Sequence, residues 1–239
     1  LRASRISPAL FRLGAFDSLP LMFAIIPFGI IWGAVAAAAG LNLLQTVMMS
    51  VTVLAGASQL ASVEILKSDA PILVAIIAGA AVNLRFLLYS ASMAPSWRGA
   101  PFGLQATAAY MLFDQPYGLC AVRYPRQPQE TPVERLSYFL GTGAAFTLVW
   151  HVASALGWAV GARIPMDWGV DFIVPLSFLA IFAPALRDKP SWFALIVASG
   201  AALLLRGLPY GLGPLVAAGV GVAAGIWSEN RLSGKESRS

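Results

Sequence analysis

The sequence predicts an all-α fold: a polytopic membrane helix bundle of about eight transmembrane helices, with seven as the alternative. Three observations carry this. Hydrophobic residues make up 58% of the 239-residue chain and charged residues only 11%, whereas a soluble domain carries about a quarter charged. Mean hydropathy is +0.74. Apolar runs long enough to span a bilayer follow one another through most of the chain, and the basic residues fall at their ends.

Residues 1–18 carry Arg2, Arg5 and Arg12 and lead into a long span without an A-x-A site. They read as a cytoplasmic N-terminal segment rather than a cleaved signal peptide. The spans are expected near 19–39, 43–66, 71–94, 102–122, 136–161, 171–186, 191–206 and 208–227. Together they form one transmembrane domain, 19–227, followed by a polar cytoplasmic tail, 228–239. With the N-terminus inside, only Arg98, Arg163 and Arg206 fall outside, and Arg85 lies within a span. Every other Lys and Arg falls inside, which favours N-in and C-in. The sixth and seventh spans are short enough to form one re-entrant hairpin. The fourth is interrupted by Asp114, Gln115 and Pro116.

The net charge of +5 does not point to nucleic acid, because the basic residues are scattered rather than gathered in a patch. One Cys excludes an intramolecular disulfide, and one Cys with one His makes no all-protein zinc site. No metal or cofactor is expected.

A Pro-aromatic-Gly motif recurs at Pro27-Phe28-Gly29, Pro101-Phe102-Gly103, Pro116-Tyr117-Gly118 and Pro209-Tyr210-Gly211. Pro removes a backbone donor and Gly relaxes the backbone, so the pairing is expected to kink or break a helix. Helix breaks are expected at Pro27, Gly29, Pro116 and Gly118, whereas Pro101 and Pro209 start spans. Broken helices at membrane depth are tolerated where they line a cavity, and they point to transporter sites.

The most informative residue is Arg85. The segment 71–94 holds no other formal charge. It is ~36 Å long at ~1.5 Å per residue, which places Arg85 ~14 Å deep. A guanidinium there costs from ~3 to over 10 kcal/mol unless it meets water, a partner or a ligand. Arg85, Tyr89 and Ser92 share one helical face. Asn83 and Ser90 lie on the opposite face, so either both faces are buried or the helix distorts near Asn83. Asp114 is the other deep charge. It reads as a partner of Arg85, an ammonium site or a proton carrier with a raised pKa.

In the second span, Thr52, Gly56, Gln59 and Val63 form one stripe of a regular helix, with Ser62 at its edge. Ser58 and Gln59 are candidates for substrate contact or for helix–helix hydrogen bonding. Glu64, three residues before Lys67, reads equally as an interfacial ion pair or a proton-coupling group. His151 is a candidate proton shuttle or a packed, hydrogen-bonded histidine. Ser58 with His151 also admits a rhomboid-like intramembrane serine hydrolase, but Gln59 stands where that pattern needs Gly.

The blocks Leu54-Ala55-Gly56-Ala57-Ser58-Gln59-Leu60, Val82-Asn83-Leu84-Arg85-Phe86-Leu87-Leu88-Tyr89 and Phe113-Asp114, with the later stretch Asp171 to Lys189, resemble the AzlC family of bacterial branched-chain amino acid exporters. The resemblance implies export of leucine, isoleucine, valine and their analogues across the cytoplasmic (inner) membrane. It also implies a small, separately encoded AzlD-type membrane subunit as partner. The chain departs from the family pattern at Phe86, where a His often follows the Arg.

For a zwitterionic amino acid the candidate binding residues are Ser58, Gln59, Asn83, Arg85, Tyr89 and Asp114, with Arg85 on the carboxylate. Asp114, Glu64 and His151 are the candidates for proton exchange. The competing class is a structural or regulatory membrane subunit that does not transport by itself.

Overall fold

The computed structural model describes residues 6–67, 71–161, 186, 188–208 and 213–236. All regular elements among them are helical. They are α1 (Pro8–Asp17), α2 (Leu19–Ala38), α3 (Leu43–Val53), α4 (Gly56–Lys67), α5 (Ile72–Asn83) and α6 (Arg85–Trp97). Then come α7 (Phe102–Tyr110), α8 (Asp114–Arg123), a short 3-10 turn Tyr124–Arg126, α9 (Pro132–Gly161), α10 (Lys189–Leu204) and α11 (Gly213–Glu236). Apart from Leu186, the sixth expected span lies outside the described residues, as do Asp171, Arg163, Arg187 and the Pro209 motif.

Among the described residues, three helical stretches are long and apolar enough to cross a membrane: Leu19–Ala38, Ile72–Trp97 and Pro132–Gly161. Leu43–Val53 and Lys189–Leu204 are shorter apolar helices.

Helix starts follow local chemistry. Asn42 and Gln45 form a reciprocal capping box at α3, with bonds of 2.9 and 2.8 Å. Thr131 and Glu134 do the same at α9, where Pro132 takes the first helical position. Asp188 caps α10 through Ser191 N–H at 2.7 Å. This bond holds the Asp188 carboxyl below its usual range.

The described parts of Leu1–Leu60 and Gly79–Val170 form one compact unit. Its spine is α9, which packs against α1, α2, α3, α6, α7 and α8. Close approach is set by small residues. A Cβ at Gly33 would sit 2.0 Å from the Ser154 carbonyl, one at Gly157 2.1 Å from the Ile30 carbonyl, and one at Gly161 2.4 Å from Ala34 Cα. Gly29 would meet Ala153 Cβ at 2.8 Å. Gly29 and Gly33, like Gly157 and Gly161, are four apart, the small-xxx-small spacing that lets apolar helices touch backbone to backbone. These contacts rise together along both chains, so α2 and α9 run parallel. Farther toward the N-terminus, Ser7 N–H donates to Ser137 Oγ at 2.9 Å, and Gly141 meets the Phe11 backbone. The described part of residues 1–18 is therefore a helix lying along α9.

The interruptions differ from the expected ones. Helix α2 runs through Pro27 and Gly29 without a break; Gly29 serves the α9 contact instead. Pro116 and Gly118 both lie inside α8. Pro116 occupies its first turn, where backbone N–H groups have no intrahelical partner and a missing donor costs nothing. The break comes earlier, at Met111–Phe113, where Phe113 is extended (φ −130°, ψ −175°). The second span is also split. Leu54 adopts left-handed φ 42°, ψ 38° between α3 and α4, a conformation that costs a branched-chain side chain ~1–2 kcal/mol. The stripe expected from Thr52 to Val63 is rephased there: Thr52 is exposed on α3, while Gln59 and Val63 are buried on α4. A milder irregularity separates α5 from α6 at Leu84, where bonds from Leu84 to Ala81 and Leu87 to Leu84 tighten the turn. Asn83 and Arg85 thus end one helix and begin the next, which is the distortion anticipated near Asn83.

The described parts of Ala61–Ala78 and Asp171–Ser239 form a second compact unit. Within it α10 and α11 pack closely, Gly221 facing Ala198 and Gly225 facing Ala194. Helix α11 continues to Glu236, so the segment expected to be a polar tail is helical through that residue. Ser62 Oγ donates to the Ala75 carbonyl at 3.1 Å, joining α4 to α5.

Candidate functional site

Arg85 opens α6 and Asp114 opens α8, so two helix interruptions bring the two deep charges together. Arg85 Nη1 lies 3.1 Å from Asp114 Oδ2. One turn along α6, the Tyr89 hydroxyl donates to Asp114 Oδ1 at 2.8 Å. Both carboxylate oxygens are therefore engaged. The position of Asp114 in the first turn of α8 adds the favourable field of the helix N-terminus.

Tyr89 stacks on Tyr117, centroids 4.2 Å apart and rings 11° from parallel. Tyr117 in turn donates to Ser92 Oγ at 3.5 Å. Arg85, Tyr89 and Ser92, one face of α6, thus meet Asp114 and Tyr117, one face of α8. The guanidinium also lies 5.3 Å from the centroid of the Phe86 ring. The Arg85 and Asp114 side chains remain 31% and 39% exposed, so neither charge is fully enclosed by the protein. Arg85 Nε is buried with no partner, as is Oδ1 of the neighbouring Asn83.

Ser58 and Gln59 belong to a different cluster at the Leu54 break. Both are fully buried. Gln59 Nε2 donates to Ser50 Oγ at 3.1 Å, and Trp32 Nε1 donates to the same oxygen at 3.0 Å. Gln59 Oε1 has no partner, and the Ser58 hydroxyl turns back to the Ala55 carbonyl at 3.2 Å. Gly56 lets two rings close on α4 here: a Cβ would meet the Trp150 and Phe28 rings at 2.5 and 2.6 Å, and those side chains would have to shift. The two broken helices are linked directly: Tyr110, at the end of α7, donates to the Val51 carbonyl at 2.7 Å. That carbonyl stands in the last turn of α3, where intrahelical partners run out.

Glu64 is ion-paired with Lys67 at 3.2 Å on the exposed end of α4. His151 Nδ1 is 2.7 Å from the Thr147 carbonyl, and its Nε2 is buried without a partner. Ser58 and His151 make no hydrogen bond to each other, so the pair a serine hydrolase needs is not formed. Sequence reasoning missed Tyr117, Ser50, Trp32 and Tyr110. The usable signal was positional: Tyr117 stands three residues after Asp114, on the same face of α8.

The family model described as AzlC protein matches residues 20–164. The chain belongs to the AzlC family. A relative from Archaeoglobus fulgidus, described as an uncharacterized membrane protein, is 26% identical over 185 residues, or 76% of this chain and 78% of the relative. No solved structure matches the chain. The matched region runs from the start of α2 to just past α9. It therefore contains the Arg85–Tyr89–Asp114 group, the Gln59 cluster and the glycines that hold α2 on α9. Membership of the AzlC family, the apolar helices and the relative's description make this a membrane protein.

Proposed function

We propose that this AzlC-family chain is a secondary transporter that exports branched-chain amino acids across the cell's inner membrane. It would work with a small AzlD-type subunit as a multi-pass protein of about eight spans. The observation that carries the reading is the Arg85–Asp114 pair, placed where interrupted helices meet and about one-third exposed.

An amino acid is itself a zwitterion. With the site empty, Arg85 and Asp114 satisfy each other, which limits the cost of charge at membrane depth. An entering substrate replaces each partner with its own opposite charge: its carboxylate takes the planar fork of Arg85 and its ammonium takes Asp114. Tyr89 keeps its bond to Asp114 and fixes that carboxylate. The Gln59 cluster at the Leu54 break supplies a buried acceptor, Gln59 Oε1, and a second hinge. Tyr110, which ties the two broken helices together, would release Val51 as the site changes its open side. The odd number of crossings expected between α2 and α9 agrees with their parallel packing. Proton exchange through Asp114 or His151 would drive export.

The test is leucine efflux from loaded cells carrying Arg85→Gln or Asp114→Asn, with expression checked. Each variant is expected to lose efflux. Full efflux in both would refute the site. Normal insertion with no counterflow by the purified wild-type chain, with and without the small subunit, would favour the structural-subunit reading.

A further inference from the structure

A cavity of about 600 Å³ lies away from the Arg85 group, at the end of the first unit where α2 and α9 begin and α8 ends. Its polar lining comprises Arg123, Arg126, Gln127, Asp17 and Tyr138. Apolar side chains, among them Phe16, Leu119 and Val122, form the rest, and Phe16 and Val122 are 66% and 57% exposed. Apolar helix surface here gives way to the polar stretch Gln127–Thr131, the composition of a membrane–water boundary.

The charged groups are held in place. Arg123 is paired with Glu130 and lies 4.4 Å from the Tyr138 ring centroid. The Tyr138 hydroxyl donates to Asp17 Oδ2 at 2.8 Å. The chain Glu130–Arg123–Tyr138–Asp17 fixes one guanidinium and one carboxylate in the cavity lining. Arg126 has no ion-pair partner among the described residues, and its side chain is exposed beside them.

We propose that this cavity binds a membrane phospholipid whose headgroup carries a hydrogen-bond donor beyond the phosphate, such as ethanolamine or glycerol. The phosphate meets Arg126 and the Arg123 edge, where guanidinium recognition is strongest. The donor reaches Asp17, whose carboxylate would repel a bare anion. An acyl chain covers Phe16, Leu119 and Val122, apolar groups left open at the boundary. Choline has no such donor, so its quaternary ammonium meets Asp17 by charge alone and forms no hydrogen bond.

The test uses the full chain, delipidated in detergent, with lipid retention read by native mass spectrometry. The probes are phosphatidylethanolamine, phosphatidylglycerol and phosphatidylcholine with identical acyl chains. The ethanolamine and glycerol lipids are expected to be retained more strongly than the choline lipid. Arg126→Gln should weaken all three about fivefold, the effect of one interfacial cation. Asp17→Asn, which keeps an acceptor for Tyr138, should remove the preference over choline. Equal retention of the choline lipid by the wild-type chain, or no change in Arg126→Gln, would overturn the proposal. So would displacement of lipid by millimolar leucine that is lost in Arg126→Gln, since that assigns the cavity to amino acids.

Discussion

Replacing Gly157 with Ala tests whether α2 and α9 are held by backbone contact. The added Cβ would lie 2.1 Å from the Ile30 carbonyl oxygen, 2.6 Å from Ile30 Cα and 2.7 Å from its carbonyl carbon. Ordinary contact begins near 3.4 Å, so the helices must part by about 1 Å. The three nearest atoms are all backbone, and no side-chain rotation moves them away. Overpacking of this kind costs ~1–3 kcal/mol, and separation also loses dispersion contacts along the interface. For a chain of this size each kcal/mol moves the midpoint by ~2–4 °C, so the expected loss is roughly 2–12 °C. The assay is thermal unfolding of the purified chain in detergent, followed by tryptophan fluorescence. Gly219→Ala in α11 is the control. A Cβ there meets nothing within 4 Å, and better helix propensity should leave it neutral or up to ~1 kcal/mol more stable. A Gly157→Ala midpoint equal to wild type, or an equal loss in Gly219→Ala, would refute the packing argument.

Three further outcomes are expected. Tyr89→Phe removes one hydrogen bond to a carboxylate, ~1.5 kcal/mol, and should lower leucine transport about tenfold with normal expression; unchanged transport counts against Tyr89 as the group that orients Asp114. Gln59→Met loses the bond to Ser50 but also removes a buried acceptor without a partner. These terms nearly cancel, so the midpoint should stay within ~1 kcal/mol of wild type while transport falls; a fall in stability with transport intact would make Gln59 structural. Thr131→Ala removes the α9 cap and should cost ~1 kcal/mol with no change in substrate preference, measured by thermal unfolding and counterflow.

What the sequence made legible was charge. Arg85 and Asp114 stood out because little else in their surroundings is ionisable, and their pairing follows from the cost of leaving either alone in an apolar setting. The shared face of Arg85, Tyr89 and Ser92 was readable because α6 is regular from Arg85 onward. Breaks were not readable from Pro and Gly. Pro27 sits inside an unbroken helix, and Pro116 sits in a first turn that tolerates it. The Leu54 break falls on a residue with no intrinsic preference for positive φ, so tertiary packing around Gly56, Trp150 and Phe28 must impose it. The α2–α9 contact was present in the sequence as two pairs of glycines four apart. Its meaning needed both helices at once, because small-residue spacing marks a helix interface only when a complementary partner exists.

The central claim is that Arg85 and Asp114 grip opposite ends of a zwitterion, rather than merely pairing with each other. Exchanging them, Arg85→Asp with Asp114→Arg, separates the two roles. The swap restores an ion pair, so the protein should insert and unfold more like wild type than either single variant does. The substrate's carboxylate and ammonium would then face exchanged partners, with Tyr89 no longer on a carboxylate at position 114. The measurement is counterflow of labelled leucine by the swapped chain reconstituted with its small subunit. The account predicts a folded protein without counterflow. Recovery of counterflow by the swap, from variants that singly lack it, would show that the pair is structural and contradict the clamp.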